Sequence, residues 1–528
     1  MHIELNQPDI RNFVNICLQG GGQIMFIDYN EHNPLWPGYC NPSIMWDNKT
    51  KDFKFILRNV NYVLHNSGDN ERNWCGWGPC FYSIPQEDGR NLKTRNFIGV
   101  SKDPFNNGFK FLEIQTKPYN PIWEFQGEED ARIVRWDDKL YTTGVRRDDN
   151  EKGMGRMELM YLDEPKNEND GYNEKTRIKI NGIGNNTAYC EKNWMPIQDM
   201  PYHYIQSSNP LRIIKVNSDT CEVNPIIEKP KDDNLLKHFD MLRGSSQCIP
   251  WKDGHITLVH TCELWFTRNG RKFAKYMHVF LWWDNDWNLK KVSPLFTFGD
   301  FMVEFTTGLE YHDGYFYIPF AIQDNFTYLL RVPENTIETF FDSDLDILKK
   351  IDNESCIEYF GEGKLFDPNI TPEDMYSIAW SSYNKKDFAK AYCIFVRFID
   401  KFPNHNLSYN ACFMAARLIA DLSHRDRHEI SMWVKCIQNN PKRPEAYFAA
   451  AMFYRCRGMN DEAFYFAEQG MGKLKTQKPW DNDQPVFYNT NSMEDIFWQC
   501  VYDTEHYEHA VPYLKSSGKE IEEERKVL

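Results

Sequence analysis

The chain has 528 residues with a net charge of −15, from 61 Lys and Arg against 76 Asp and Glu. Without a concentrated basic block it is a poor match for a nucleic-acid phosphate backbone, and no uncharged apolar run approaches a membrane span, so neither nucleic acid nor membrane is an expected partner. Aromatic residues make up 15%, including 16 Trp and 28 Tyr, enough for a large core with rings left over for ligands. The 14 Cys include no CxxC pair, which argues against a structural zinc site. The N-terminal run MHIELNQPDI lacks the basic and apolar stretches of a secretory leader. A cytoplasmic protein is therefore expected, and sequons such as Asn48-Lys49-Thr50 carry no weight.

Residues 1–332 alternate apolar and polar side chains with period two, in short runs broken by Asp, Asn and Gly, which is strand behaviour. A unit recurs: a short apolar run, a polar turn containing Asp, then an aromatic-rich alternating run. It reads SIMWDNKTKDFKFILR, ARIVRWDDKLYTTG, NWMPIQDMPYHYI, QCIPWKDGHITLVH and TGLEYHDGYFYIPF, with turn residues Asp52, Asp138, Asp199, Asp253 and Asp313. Outer strands follow at 212–216 and 278–283, and the long first interval leaves room for an insertion at 66–108. Recurrence at this length, each copy able to form a four-stranded antiparallel sheet, predicts an all-β five-bladed propeller.

Residues 333–370 read as a connector with one short helix at 344–350. From 371 to 528 the period becomes helical. In 441–471 small and aromatic residues (Ala446, Tyr447, Ala451, Tyr454, Ala463, Ala467) flank a turn at 458–461 in the manner of an all-α tetratricopeptide-like solenoid. Weaker copies run over 373–402, 407–439 and 493–516.

Chemistry is sought where inner strands end and where the repeats differ from one another. Glu128-Glu129-Asp130-Ala131-Arg132 is the strongest candidate. On an extended strand Glu128, Asp130 and Arg132 point one way and Glu129 the other. Clustered carboxylates raise one another's pKa while an Arg lowers it, a setting suited to a general acid. Asn41-Pro42-Ser43 with Arg58 and Asn61, Lys192-Asn193 with Pro196, Arg243, His260, Phe305-Thr306-Thr307-Gly308 and Asp324 are further candidates. Lys192 and Arg243 are cations for a phosphate, and His260 a donor to it. Trp74, Trp77 and Trp194 are candidate stacking platforms or plain core. Asp137-Asp138 reads as a hairpin turn and not a metal motif, so no metal or other cofactor is expected.

The Glu-Asp-Ala-Arg segment resembles the Glu-Asp-Pro-Arg motif of the five-bladed β-mannoside phosphorylase and hydrolase family, glycoside hydrolase family 130 and its mannosyltransferase relatives. Asn41-Pro42 with Arg58 resembles that family's first-blade sugar contacts, Lys192 its third-blade Lys, His260 its fourth-blade His, and Phe305 to Gly308 with Asp324 its fifth-blade motifs. The resemblance spans about 300 residues. It implies an inverting reaction with Asp130 as acid/base, its proton passing through a sugar hydroxyl, while Asn41, Arg58, Asn61, Glu128, Arg132, Lys192, Arg243, His260 and Asp324 bind substrate. Ala131 departs from the motif, and the loop GVRRDDNEKGMGR is long and charged. The helical repeats favour a glycosyltransferase that moves a mannose-like hexosyl unit from a nucleotide sugar or sugar phosphate to a glycan or glycosylated acceptor. The repeats would offer a surface to a protein partner. A phosphorylase or hydrolase, a non-catalytic glycan-binding propeller, and a scaffold remain the alternatives.

Overall fold

The computed structural model describes residues 11–513 apart from 28, 30–34, 37, 65–73, 78–79, 84–87, 168–169, 181–189, 232–241, 267–271, 300–302, 323, 343–368, 423–425, 457, 475–489 and 505–512. The chain divides into a largely β first part and a helical second part. Among the described residues no helix is long and apolar enough to cross a membrane.

Each aspartate unit read from the sequence opens on an antiparallel hairpin. Gly38–Asp47 pairs with Asp52–Val60, and Leu92–Ser101 and Lys110–Gln115 complete a first meander. Glu129–Trp136, Lys139–Arg146, Arg156–Asp163 and Tyr172–Lys179 form the second. The outermost strands of these two meanders meet in a parallel pairing, Tyr172 beside Ile114, and so merge them into one nine-stranded sheet. Met195–Pro196, His203–Ser208, Leu211–Val216 and Val223–Glu228 make a separate four-stranded sheet. A seven-stranded sheet is built on the long hairpin Gly254–Phe266 and Lys272–Asp284, and a five-stranded one on Tyr315–Ile322 and Phe326–Pro333.

Two closures tie the start of the chain to the end of the β part. Gln23–Phe26 pairs antiparallel with Phe326–Pro333, and Arg11–Asn12 lies parallel to Phe296–Thr297. The innermost strands of different sheets also bond directly. Thr307 donates to the Asn41 and Pro42 carbonyls at 3.0 Å, the Ile133 N–H donates to Ser43 at 3.3 Å, and Arg132 Nε donates to the Ser245 carbonyl at 2.8 Å. Asp52–Val60 is buried on both faces, so it reads FKFIL without strict alternation.

At the end carrying the aspartate turns, Glu310 closes the space between sheets. It accepts from the Trp46 N–H at 2.9 Å, Gln198 Nε2 at 2.8 Å and the Tyr311 N–H at 3.0 Å. Burial outweighs these donors and raises its pKa from 4.5 to about 7. Folding therefore tightens this proton, and stability is lost as pH rises from about 4.5 through about 7. Glu310→Gln removes one titrating group. Thermal melts between pH 5 and 8 should show a shallower fall in Tm than wild type; an unchanged slope would mean that Glu310 is already ionised across this range.

In the second part, Pro372–Asn384, Phe388–Lys401, Ser408–Leu422, Asp426–Asn439, Glu445–Arg455, Asn460–Leu474 and Thr490–Thr504 each pack against the next in chain order. Thr371 caps the first of them by accepting from the Asp374 N–H, with Pro372 at its first position. Gly470 brings its helix close against the preceding one, since an added Cβ would lie 2.9 Å from the Phe448 ring.

The sequence-expected connector differs from what is found. Glu334–Phe341 is helical and contributes Ile337, Phe340 and Phe341 to the core, while the expected helix at 344–350 lies outside the described residues. A second helix, Phe13–Gln19, packs beside it, with Gly20 against Thr336. The two parts share one continuous apolar core, from Trp251, Phe280, Phe320 and Tyr328 to Met375, Phe395 and Phe398. Tyr328 Oη donates to the Lys386 carbonyl at 3.1 Å and accepts from the Phe388 N–H at 2.9 Å.

Candidate active site

At the end of the inner strands opposite the aspartate turns, the chain repeatedly enters the left-handed region. Asn41 (φ 45°), Asp130 (φ 54°), Asn193 (φ 64°) and Asp324 (φ 52°) all do so. Asn and Asp bear this conformation better than other side-chain-bearing residues, and such backbone persists where the surroundings enforce it.

Asp130 is buried, and among the described residues both hydrogen bonds to its carboxylate land on Oδ1: Asn41 Nδ2 at 2.6 Å and Arg58 Nη1 at 2.9 Å. Among the described residues Oδ2 accepts no hydrogen bond. Arg58 also reaches Thr94 at 3.2 Å and Tyr62 Oη at 3.4 Å, and Tyr62 donates to Asp324 Oδ2 at 3.3 Å. Residues from three stretches of the chain thus converge on one guanidinium.

Strand alternation fails at this motif. Positive φ at Asp130 and a register shift between Glu129 and Arg132 form a bulge, which re-aims consecutive side chains. Glu129 therefore shares Asp130's side, 3.9 Å from Arg58 Nη2 and 3.5 Å from Arg147 Nε. Glu128, expected beside Asp130, turns instead to Thr142 at 3.0 Å, near Glu158 and Arg146. Burial and Glu158 raise its pKa to about 7.

The electrostatics of Asp130 also reverse the sequence expectation of an acid with a raised pKa. Burial does push its pKa up, but Arg58, Lys192 and Arg132 outweigh burial and hold it below the usual carboxylate value. Asp324 moves the other way, to about 6, because burial and the charge of Asp130 exceed the help of Arg58. A carboxyl held low, as that of Asp130 is, carries its charge at neutral pH.

Cations gather on the adjacent side. Gly244 approaches Asn193 so closely that an added Cβ would lie 2.1 Å from the Asn193 carbonyl, and the neighbouring Arg243 and Lys192 both act on His260. Arg243 is in register with His260. Burial, then His278, Arg243, Lys192 and Arg132, keep His260 neutral, with Ser245 Oγ 2.8 Å from its Nδ1 and Tyr276 stacked at 5.3 Å. Arg132 braces the Ser245 and Asp130 carbonyls at 2.8 Å, its Nη2 is unpartnered among the described residues, and burial lowers its pKa to about 10.

Two other sequence candidates have structural roles. Asn61 spends its amide on Asp88 at 2.8 Å, the Asn91 carbonyl at 2.9 Å and the Lys93 N–H at 2.7 Å, so it carries the turn at 88–91 and does not face the site. Trp194 is core, packed on Tyr204; the side chains of Trp74 and Trp77 lie outside the described residues. Sequence reasoning missed Tyr62, Thr94, Glu129 and Arg147. The only signal for them was position: Tyr62 four residues past Arg58, and Arg147 in the charged loop.

No protein-family model and no curated protein matches the chain. Among solved structures it is similar to several named as sugar-acting enzymes and to a protein named MamA. These include β-1,2-mannobiose phosphorylase from Listeria innocua (15% identity, 61% of this chain and 100% of that one, TM-score 0.38). MPT-1, a GDP-Man-dependent mannosyltransferase from Leishmania mexicana, matches at 11% identity over 59% of this chain and 90% of its own, TM-score 0.34. MamA from Desulfovibrio magneticus RS-1 matches at 14% identity over 34% of this chain and 97% of its own, TM-score 0.21. At that distance they describe what the chain resembles, and the functional reading is built from its own residues.

Proposed function

We propose that the protein is a carbohydrate-active enzyme, a glycosyltransferase that moves a mannose-like hexosyl unit from a phosphorylated donor to a hydroxyl acceptor with inversion. Its first 332 residues are read as a five-bladed propeller bearing the site, joined through 333–370 to tetratricopeptide-like repeats over 371–528. The observation that carries the reading is the buried Asp130 carboxylate, bonded by Asn41 and Arg58 through Oδ1 alone among the described residues, with Lys192 and Arg132 close enough to lower its pKa. The motif resemblance at Asn41, Arg58, Asp130, Lys192, His260 and Asp324 supports the sugar chemistry.

In the proposed step the acceptor oxygen attacks the anomeric carbon while its proton passes to Asp130 Oδ2. The anomeric C–O bond to the donor phosphate breaks, and its electron pair stays on the phosphate oxygen. Lys192 and Arg243 balance that charge, and neutral His260 donates a hydrogen bond to it. A single displacement from the opposite face inverts the centre, and one carboxylate is enough. Asn41 and Arg58 fix the carboxylate, and Asp324 offers the sugar a carboxyl.

Phosphorolysis is the same displacement run backwards and needs Asp130 protonated, which Arg58, Lys192 and Arg132 oppose. The helical repeats, read as a surface for a larger acceptor, are the reason to prefer transfer. Incubation with a panel of nucleotide sugars and sugar 1-phosphates, with and without manno-oligosaccharide acceptors, tests the reading through released nucleotide or phosphate. Acceptor-dependent release is expected; glycan binding without release from any donor would replace the enzyme with a lectin.

A further inference from the structure

We infer that an open groove beside this site is the binding surface for an extended, neutral oligosaccharide acceptor. The inference rests on the function proposed above and adds where the acceptor lies and what kind of molecule it is. The groove has a volume of about 600 Å³, within the range of about 300–1,000 Å³ common for ligand clefts. Trp123 and the exposed Ile122 give it an apolar floor, and Asn91, Glu124, Gln126 and Glu151 give it planar polar groups. That mixture suits a pyranose, whose C–H face lies on an indole while its hydroxyls meet amides and carboxylates.

Groove and carboxylate share one short run of chain. Gln126 stands four residues before Asp130. Arg147 lies 5.3 Å over the Phe125 ring and 3.5 Å from Glu129 Oε1, and Glu129 is 3.9 Å from Arg58. Gln126 also pairs with Lys93, next to the Thr94 that Arg58 contacts, so on this reading a chain seated in the groove runs towards Asp130.

The groove is also built, not merely open. Buried Asp148 pins its wall: its carbonyl accepts from the Ile122 N–H at 2.8 Å, and its Oδ2 accepts from Tyr119 Oη and from the Gly127 N–H, both at 2.8 Å. Gly153, at φ 61°, sits flush on the indole, where an added Cβ would lie 2.1 Å from Trp123 Nε1. Charge selects the ligand. Arg90 is balanced by Glu124 at 3.5 Å, which leaves Glu151 as the surplus, so the groove disfavours a phosphorylated donor that Lys192 and Arg243 attract.

The test titrates the full-length protein with linear manno-oligosaccharides, from disaccharide to hexasaccharide, by calorimetry, with a glucose-configured series alongside. Affinity should rise with chain length, and Trp123→Ala should flatten that rise, with a loss of about tenfold at the long end. In turnover, its effect on acceptor KM should grow with acceptor length. Gln126→Ala leaves the indole in place and should flatten the same rise. Length dependence identical in wild type and both variants overturns the groove and leaves the proposed function standing. Failure of any glycan to bind the wild-type protein overturns the functional reading itself.

Discussion

Asp130→Asn is expected to lower turnover by about a thousandfold while leaving the fold and donor binding in place. Asparagine tolerates the left-handed backbone that Asp130 occupies (φ 54°), and its carbonyl oxygen can still accept from Asn41 and Arg58. The substitution therefore removes the charge and the proton-accepting oxygen with little else. General-base assistance contributes roughly 10²–10⁴-fold, which sets the scale of the loss. Arg58 keeps Glu129 at 3.9 Å as a partial counter-charge, so the guanidinium is not stranded. Asp130→Ala should cost stability as well, because alanine must hold the same strained φ and offers Asn41 and Arg58 no acceptor in place of the carboxylate. Initial rates and a thermal melt of both variants check this; turnover of Asp130→Asn within tenfold of wild type would remove Asp130 from the chemistry.

A chain ended at residue 342 is expected not to fold. Met375, Tyr392, Phe395 and Phe398 belong to the same core as Phe320, Tyr328 and Phe340. Burial of each large apolar side chain is worth about 1.5–3 kcal/mol, so losing four of them is comparable with the roughly 5–15 kcal/mol by which domains are stable. Tyr328→Phe probes the same seam gently. It strips a buried hydroxyl from the Lys386 carbonyl and the Phe388 N–H, at a cost of about 1–3 kcal/mol, read as a lower Tm. A truncated chain that melts cooperatively at the wild-type Tm would show that the helices are an independent appendage.

The strand pattern around Asp52, Asp138, Asp199, Asp253 and Asp313 was legible because each unit is local: a hairpin turn with its flanking alternation. The closure by Gln23–Phe26 was not, because four residues carry no usable period and their partner strand lies at the far end of the β part. The merging of the first two meanders was equally hidden, resting on a two-residue contact between Tyr172–Asn173 and Ile114–Gln115.

In the site, Asn41, Arg58 and Asp130 were found as a group through their motif resemblance, and they meet within hydrogen-bonding distance. Which way the carboxylates face was misread, because period-two reasoning assumes a regular strand and the bulge at Asp130 breaks it. That error placed Glu128 with Asp130 and left Glu129 out. The acidity of Asp130 was misjudged for a related reason. Its neighbours in sequence are carboxylates, but its neighbours in space are Arg58, Lys192 and Arg132, two of them brought from other sheets or distant segments.

The most direct test of the proposed chemistry is the pH dependence of kcat/KM for acceptor-dependent donor consumption, compared between wild type and Asp130→Asn. An ionised Asp130 acting as base predicts a rate held through neutral pH that falls only on the acid side, below the usual carboxylate pKa, with this limb missing from the residual activity of Asp130→Asn. A rate that climbs steadily as pH is lowered from 8 to 5, and loses that climb in Asp130→Asn, would make Asp130 a proton donor and contradict transfer by an ionised base.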